Sequence, residues 1–129
     1  MMDKGKVVID DVTAADVVVL RKALSALNEL ESCATGQDVA NRLIEDNVRG
    51  YRQSSCNCPL ATYLRRHSGA NYVMVWWTKV GLAISLHRVG GRQPQRLTLG
   101  NGVVSMFVRE FDAGSYRALD AICTPGGYR

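Results

Sequence analysis

Residues 71–87, NYVMVWWTKVGLAISLH, decide the fold. The first seven form a continuous apolar run of β-branched and aromatic residues, the composition of a strand buried on both faces or of one whose second face meets a partner. Thr78-Lys79-Val80-Gly81 has turn character. Beyond it the pattern alternates, with Leu82, Ile84 and Leu86 on one face and Ala83, Ser85 and His87 on the other, as in a half-buried strand. A single long strand with a bend would also fit. The breaker-rich Val89–Gln95 segment is a loop, and Arg96-Leu97-Thr98-Leu99 is a third short strand. A small three-stranded, mainly antiparallel sheet is expected.

Helical signals surround this sheet. Upstream, Val17, Leu20, Leu24, Leu27 and Leu30 recur at helical spacing, with Ala23 and Ala26 between them, which predicts a helix over 14–32 that buries those leucines. Thr13 with Asp16 has the spacing of a capping box, in which hydroxyl and carboxylate each accept a backbone N–H at the helix start. Thr35 with Asp38 repeats it, predicting a second helix to about 48 that buries Val39, Leu43 and Ile44. The pair reads as a helical hairpin; as a DNA-reading helix-turn-helix it is too acidic in its second helix. Val7-Val8-Ile9 ahead of it is β-prone. Cys58-Pro59 reads as N-cap and first helical residue of a third helix, since proline there loses no hydrogen bond. That helix carries Leu60, Ala61 and Leu64 inward, Tyr63 on its flank, and Arg65, Arg66 and His67 in its last turn, before Ser68-Gly69.

Downstream, Val104, Phe107, Val108 and Phe111 share one face of a helix over 103–111. Ser115 is placed to cap a short final helix carrying Leu119 and Ile122. The fold class is therefore α+β: an N-terminal helical hairpin, a third helix, the sheet and a C-terminal helix. At 129 residues it forms one domain, here residues 1–123, followed by a loose tail, 124–129.

The chain has a formal net charge of +4, unevenly spread. Residues 1–46 hold nine acids and five bases. Residues 47–109 hold nine bases (Arg49, Arg52, Arg65, Arg66, Lys79, Arg88, Arg92, Arg96, Arg109) and no acid. Such a stretch either faces phosphates or an acidic protein, or folds back to pair with the acids of the first two helices. No apolar run reaches the roughly 18–20 residues of a membrane span, and the N-terminus lacks a signal-peptide apolar region. A cytoplasmic, non-membrane protein is expected.

Cysteines stand at 33, 56, 58 and 123. In a reducing compartment they are free thiols, and Cys33 and Cys123 read as small buried hydrophobes. Cys56-Asn57-Cys58 admits three readings. A thiol at a helix start near Arg49 and Arg52 would have a lowered pKa, yet a nucleophile also needs a base. His67 lies about 13 Å along the same helix at 1.5 Å per residue, which leaves only His87. A zinc site from Cys56, Cys58, His67 and His87 departs from the usual Cys-x₂₋₄-Cys spacing. The third reading is structural. A Cys56–Cys58 disulfide would be strained. Walker A, G-x-G-x-x-G and G-x-S-x-G patterns are all missing from the sequence, and no cofactor is implied.

The segments Cys58-Pro59-Leu60-Ala61-x-Tyr63-Leu64-Arg65 and Phe107-Val108-Arg109-Glu110-Phe111-Asp112-Ala113-Gly114-x-Tyr116 resemble short uncharacterised proteins of actinobacteria and their phages. The likeness covers roughly residues 45–120. It implies the order helix, strands, helix and an intracellular actinobacterial or phage setting, and no activity.

The expected function is a non-enzymatic binding or regulatory protein. Arg49, Tyr51, Arg52, Arg65, Arg66, Trp76, Arg88, Arg92 and Arg96 are the candidate contact residues. Arginine interleaved with aromatics suits a protein interface and, as the alternative, phosphate contact with base stacking. A protein partner is preferred because the pI near 9.0 is moderate and no nucleic-acid-binding motif is present. A homodimer through the apolar strand is a further expectation, and a cysteine-dependent enzyme or zinc site at Cys56/Cys58 is the remaining alternative.

Overall fold

A computed structural model describes residues 14–91 and 93–122. The Val7–Ile9 run, the Thr13 cap, Arg92, Cys123 and the 124–129 tail lie outside the described residues. The observed order is α1 (Ala14–Glu31), α2 (Gly36–Glu45), α3 (Pro59–Ser68), β1 (Tyr72–Thr78), β2 (Gly81–His87), β3 (Gln95–Leu99), α4 (Val103–Asp112) and a 3₁₀ turn (Arg117–Leu119). This is the expected α+β arrangement. The sheet is antiparallel in the order β1-β2-β3.

Residues 71–87 form a hairpin rather than one bent strand. Thr78 pairs with Gly81 across a two-residue turn, and the register runs back to Tyr72 opposite His87. Thr78 Oγ1 locks the turn, donating to the Gly81 carbonyl at 2.9 Å and accepting from Val80 N–H at 3.2 Å. Val73, Val75, Leu82, Ile84 and Leu86 face the helices and are buried. On the other face Tyr72 is exposed, and Met74 and Trp76 are half-buried. The described helices cover one face of the run, and on the other face the β2 neighbours Ala83 and Ser85 are buried as well.

The start of α2 carries the complete capping box: Asp38 N–H donates to Thr35 Oγ1 and Thr35 N–H donates to the Asp38 carboxylate, both at 3.2 Å. The helix stops at Glu45, short of the expected residue 48, where Asn47 adopts φ 62° and turns Val48 into the core. α3 begins as expected, with Cys58 as N-cap and Pro59 next, and ends on Gly69 at φ 82°. Tyr63 is buried rather than flanking.

Several expected core positions shift. In α1 the buried stripe is Asp16, Val19, Ala23, Ala26, Leu27 and Leu30, while Val17 and Leu24 are 38% and 42% exposed. α1 packs chiefly on α3, and the small alanines, not the leucines, permit the close approach. Asp16 can sit in that stripe because Arg88 Nε meets its carboxylate at 2.8 Å. Ile44 is exposed for the corresponding reason, since α2 packs chiefly on α4 through Val39, Ala40 and Leu43. Cys33 is half-buried rather than buried.

α4 buries Val104, Phe107, Val108 and Phe111 as anticipated. Its N-cap, Gly102, has no side chain to offer, so the Glu31 carboxylate at the end of α1 accepts from Val103 and Val104 N–H at 3.1 and 3.5 Å. A Cβ on Gly102 would stand 2.8 Å from that carboxylate, so glycine keeps the approach open. The final helix is only the 3₁₀ turn. Tyr116, at φ 60°, precedes it in place of a Ser115 cap, and Ile122 is exposed while Leu119 is buried.

Candidate binding surface at the β1 edge

The segment from Gly50 to Cys58 is a folded loop pinned at each end and in the middle. Gly50 forms a parallel bridge to the C-terminal segment, donating to the Leu119 carbonyl at 2.9 Å and accepting from Ala121 N–H at 2.8 Å. A Cβ there would lie 2.5 Å from the Asn57 carbonyl oxygen and from Pro59 N, so only glycine fits. Tyr51 N–H closes the loop on the Asn57 carbonyl at 2.8 Å. Gln53, at φ 57°, donates its N–H to Asp112 Oδ1 at 2.9 Å. The Ser55 carbonyl accepts from Val75 N–H at 2.8 Å, which covers the middle of β1's outer edge.

Between this loop, the end of β1 and α4 lies a cleft of about 270 Å³. Val75, Trp76, Trp77, Leu82 and Val108 form its apolar wall, and Gln53, Ser54, Ser55 and Asp112 its polar rim. Trp77 is 38% exposed. Arg109 Cζ lies 4.8 Å from the Trp77 ring centroid, and Arg96 Cζ lies 5.7 Å from that of Trp76. Both are within cation–π range. Neither arginine has a carboxylate partner among the described residues.

The other basic candidates are largely engaged elsewhere. Arg52 Nε meets Asp120 at 3.1 Å, Arg66 Nη1 meets Asp46 at 3.4 Å and also donates to its backbone carbonyl, and Arg88 meets Asp16. Arg65 donates to the Cys56 carbonyl at 3.5 Å. Arg49 and Tyr51 are exposed. The basic stretch therefore folds partly back onto the acids of α1 and of the α2 terminus. Of the expected contact residues, Trp76 and Arg96 stand together, and the site adds Trp77 and Arg109. Trp77 follows Trp76 on a strand, so the two side chains turn to opposite faces, Trp77 toward α4 and Trp76 toward Arg96.

The two neighbouring cysteines part company. Cys58 Sγ accepts from Ala61 N–H at 3.4 Å, and burial pushes its thiol up to about 11. Cys56 is half-exposed, its Sγ 3.2 Å from Tyr72 Oη and 3.7 Å from Ser55 Oγ. The Tyr72 hydroxyl foremost, then Ser55, with a smaller share from the Arg65 charge, hold its pKa below the ordinary thiol value. Tyr72 in turn contacts His87 edge-on at 5.1 Å, and His87 Nε2 hydrogen-bonds Ser85. The register that joins Tyr72 to His87 is countable from the two-residue turn, and that was the signal available in the sequence.

The metal candidates do not converge. His67 is 2.9 Å from Asp46 and lies tilted against the Tyr63 ring, His87 serves Ser85, and Cys58 points into the core. Among the described residues no three His, Cys, Asp or Glu side chains are grouped to hold a metal ion, and no helix is long and apolar enough to cross a membrane.

No protein-family model, curated protein or solved structure matches this chain.

Proposed function

We propose that this is a non-enzymatic binding protein that engages a protein partner at the β1-edge cleft. The observation that carries the reading is the exposed Trp77 at the apolar hollow, with Arg109 over its ring and no carboxylate partner for that arginine among the described residues. Tryptophan and arginine are the side chains that most often dominate interface energies, and they do so in hollows that exclude water. Ion pairing of Arg52, Arg66 and Arg88 reduces the positive charge open to a phosphate backbone. For the non-enzymatic reading, Ser85 is buried and Cys58 is held protonated, while Cys56 touches a phenol rather than a base.

Trp77→Ala and Arg109→Ala chains, checked for folding by circular dichroism, should each lose about tenfold or more in affinity for a partner isolated with the wild-type protein. Unchanged affinity in both would refute the assignment. Binding to arbitrary DNA or RNA with a steep salt dependence would move it to nucleic acid.

A further inference from the structure

We propose that the β1-edge cleft takes an extended acidic peptide segment, which adds to the sheet at Trp77, sets an apolar side chain in the hollow and lays a carboxylate on Arg109. This rests on the protein-partner reading above and names the chemistry of that partner.

Strand parity identifies the open backbone groups. Val75 turns its N–H away from β2 to the Ser55 carbonyl, and strand orientation repeats every second residue, so Trp77 also directs its N–H and C=O away from β2. The loop that covers Val75 is engaged elsewhere before it reaches Trp77. Ser54 Oγ accepts from Asn57 N–H at 3.1 Å, and Gln53 N–H goes to Asp112. Among the described residues the outward groups of Trp77 have no partner, and they stand where β1 lines the cleft. An added strand satisfies an N–H and a C=O together on a sheet edge, and its alternate side chains fill the adjoining hollow.

The hollow and the charges select what that strand carries. At about 270 Å³ the cleft falls below the roughly 300–1,000 Å³ of small-molecule sites, and its Val75, Leu82 and Val108 wall suits an apolar side chain. Arg109 lies over the Trp77 ring, and Lys79 is exposed two residues beyond it. Neither cation has a carboxylate partner among the described residues. A guanidinium over an aromatic ring still offers its N–H fork to a carboxylate. Asp112, the acid of the rim, stands one helical turn from Arg109 and accepts from Gln53 instead. It sets the direction, with the segment's acid at the Arg109 end. A basic segment would meet two cations there.

Two pools of short acetylated peptides test this on the full chain. Both alternate randomised apolar residues with charged ones, Asp and Glu in one pool, Lys and Arg in the other. Fluorescence anisotropy should show the acidic pool bound about tenfold or more tighter, and hydrogen exchange at the Trp77 N–H should slow when that pool is added. Arg109→Glu should reverse the preference, and Trp77→Ala should weaken binding of the acidic pool. Trp77 and Arg109 are exposed, so unchanged circular dichroism is expected and separates loss of binding from loss of fold. A basic pool bound as tightly as the acidic one, no acidic binding by about 1 mM, or a Trp77 amide left unprotected would overturn the inference. The two readings fail differently. An isolated partner weakened by Trp77→Ala beside a failed acidic pool keeps the cleft and ends this inference, whereas a partner indifferent to both Trp77→Ala and Arg109→Ala ends both.

Discussion

Cys56 and Cys58 are two residues apart and chemically opposite. Position along the chain does not distinguish them, but surroundings do: one has a phenol, a hydroxyl and a nearby guanidinium, the other a helix N–H and the core. Iodoacetamide should modify Cys56 in the folded protein and leave Cys58 until unfolding, as read by peptide mass spectrometry. Tyr72→Phe removes the main stabiliser of the Cys56 thiolate, so its labelling rate should fall at neutral pH and its titration should move to higher pH. The raised Cys58 pKa also fixes a sign. A thiol ionising near 9.0 when unfolded and at about 11 when folded contributes stability that is present below pH 9 and lost as pH rises toward 11. Urea titrations should show stability falling over that window by about 2–3 kcal/mol from this group, with a shallower slope in Cys58→Ala.

At the scale of elements, the ends of helices are held by residues outside them. Glu31 belongs to α1 and caps α4, linking the first and last long helices. Glu31→Gln keeps an acceptor but removes the charge facing the helix dipole, and Glu31→Ala removes both. Losses of about 0.5 and 1 kcal/mol in urea-derived stability are expected, in that order. The pair joining Asp16 of α1 to Arg88 beyond β2 is more consequential, because the Asp16 side chain is 3% exposed. Arg88→Ala removes this counter-charge from a buried carboxylate and should cost about 3 kcal/mol, measurable by the same titration.

For the whole molecule, the helices cover one face of the sheet and the 50–58 loop crosses its β1 edge. Trp77→Ala should therefore weaken partner binding without changing the helical and sheet content read by circular dichroism.

The sequence by itself determined the elements. Alternation and periodicity over 71–87, the Thr35–Asp38 capping box, Cys58-Pro59 and the Val104–Phe111 stripe fix strand, helix and boundary through local steric and hydrogen-bonding rules. Tertiary structure alone decided which apolar face of α1 is inside, since Val17 and Leu24 satisfy helical spacing as well as Ala23 and Ala26 do, and only contact with α3 chooses between them. It also decided which arginines pair internally, because Arg66–Asp46 and Arg88–Asp16 join residues distant in the chain. The candidate site was half legible for the same reason. Trp76 and Arg96 were visible as residue types, whereas the cleft exists only where the 50–58 loop, β1 and α4 meet, and no spacing rule reaches across three elements.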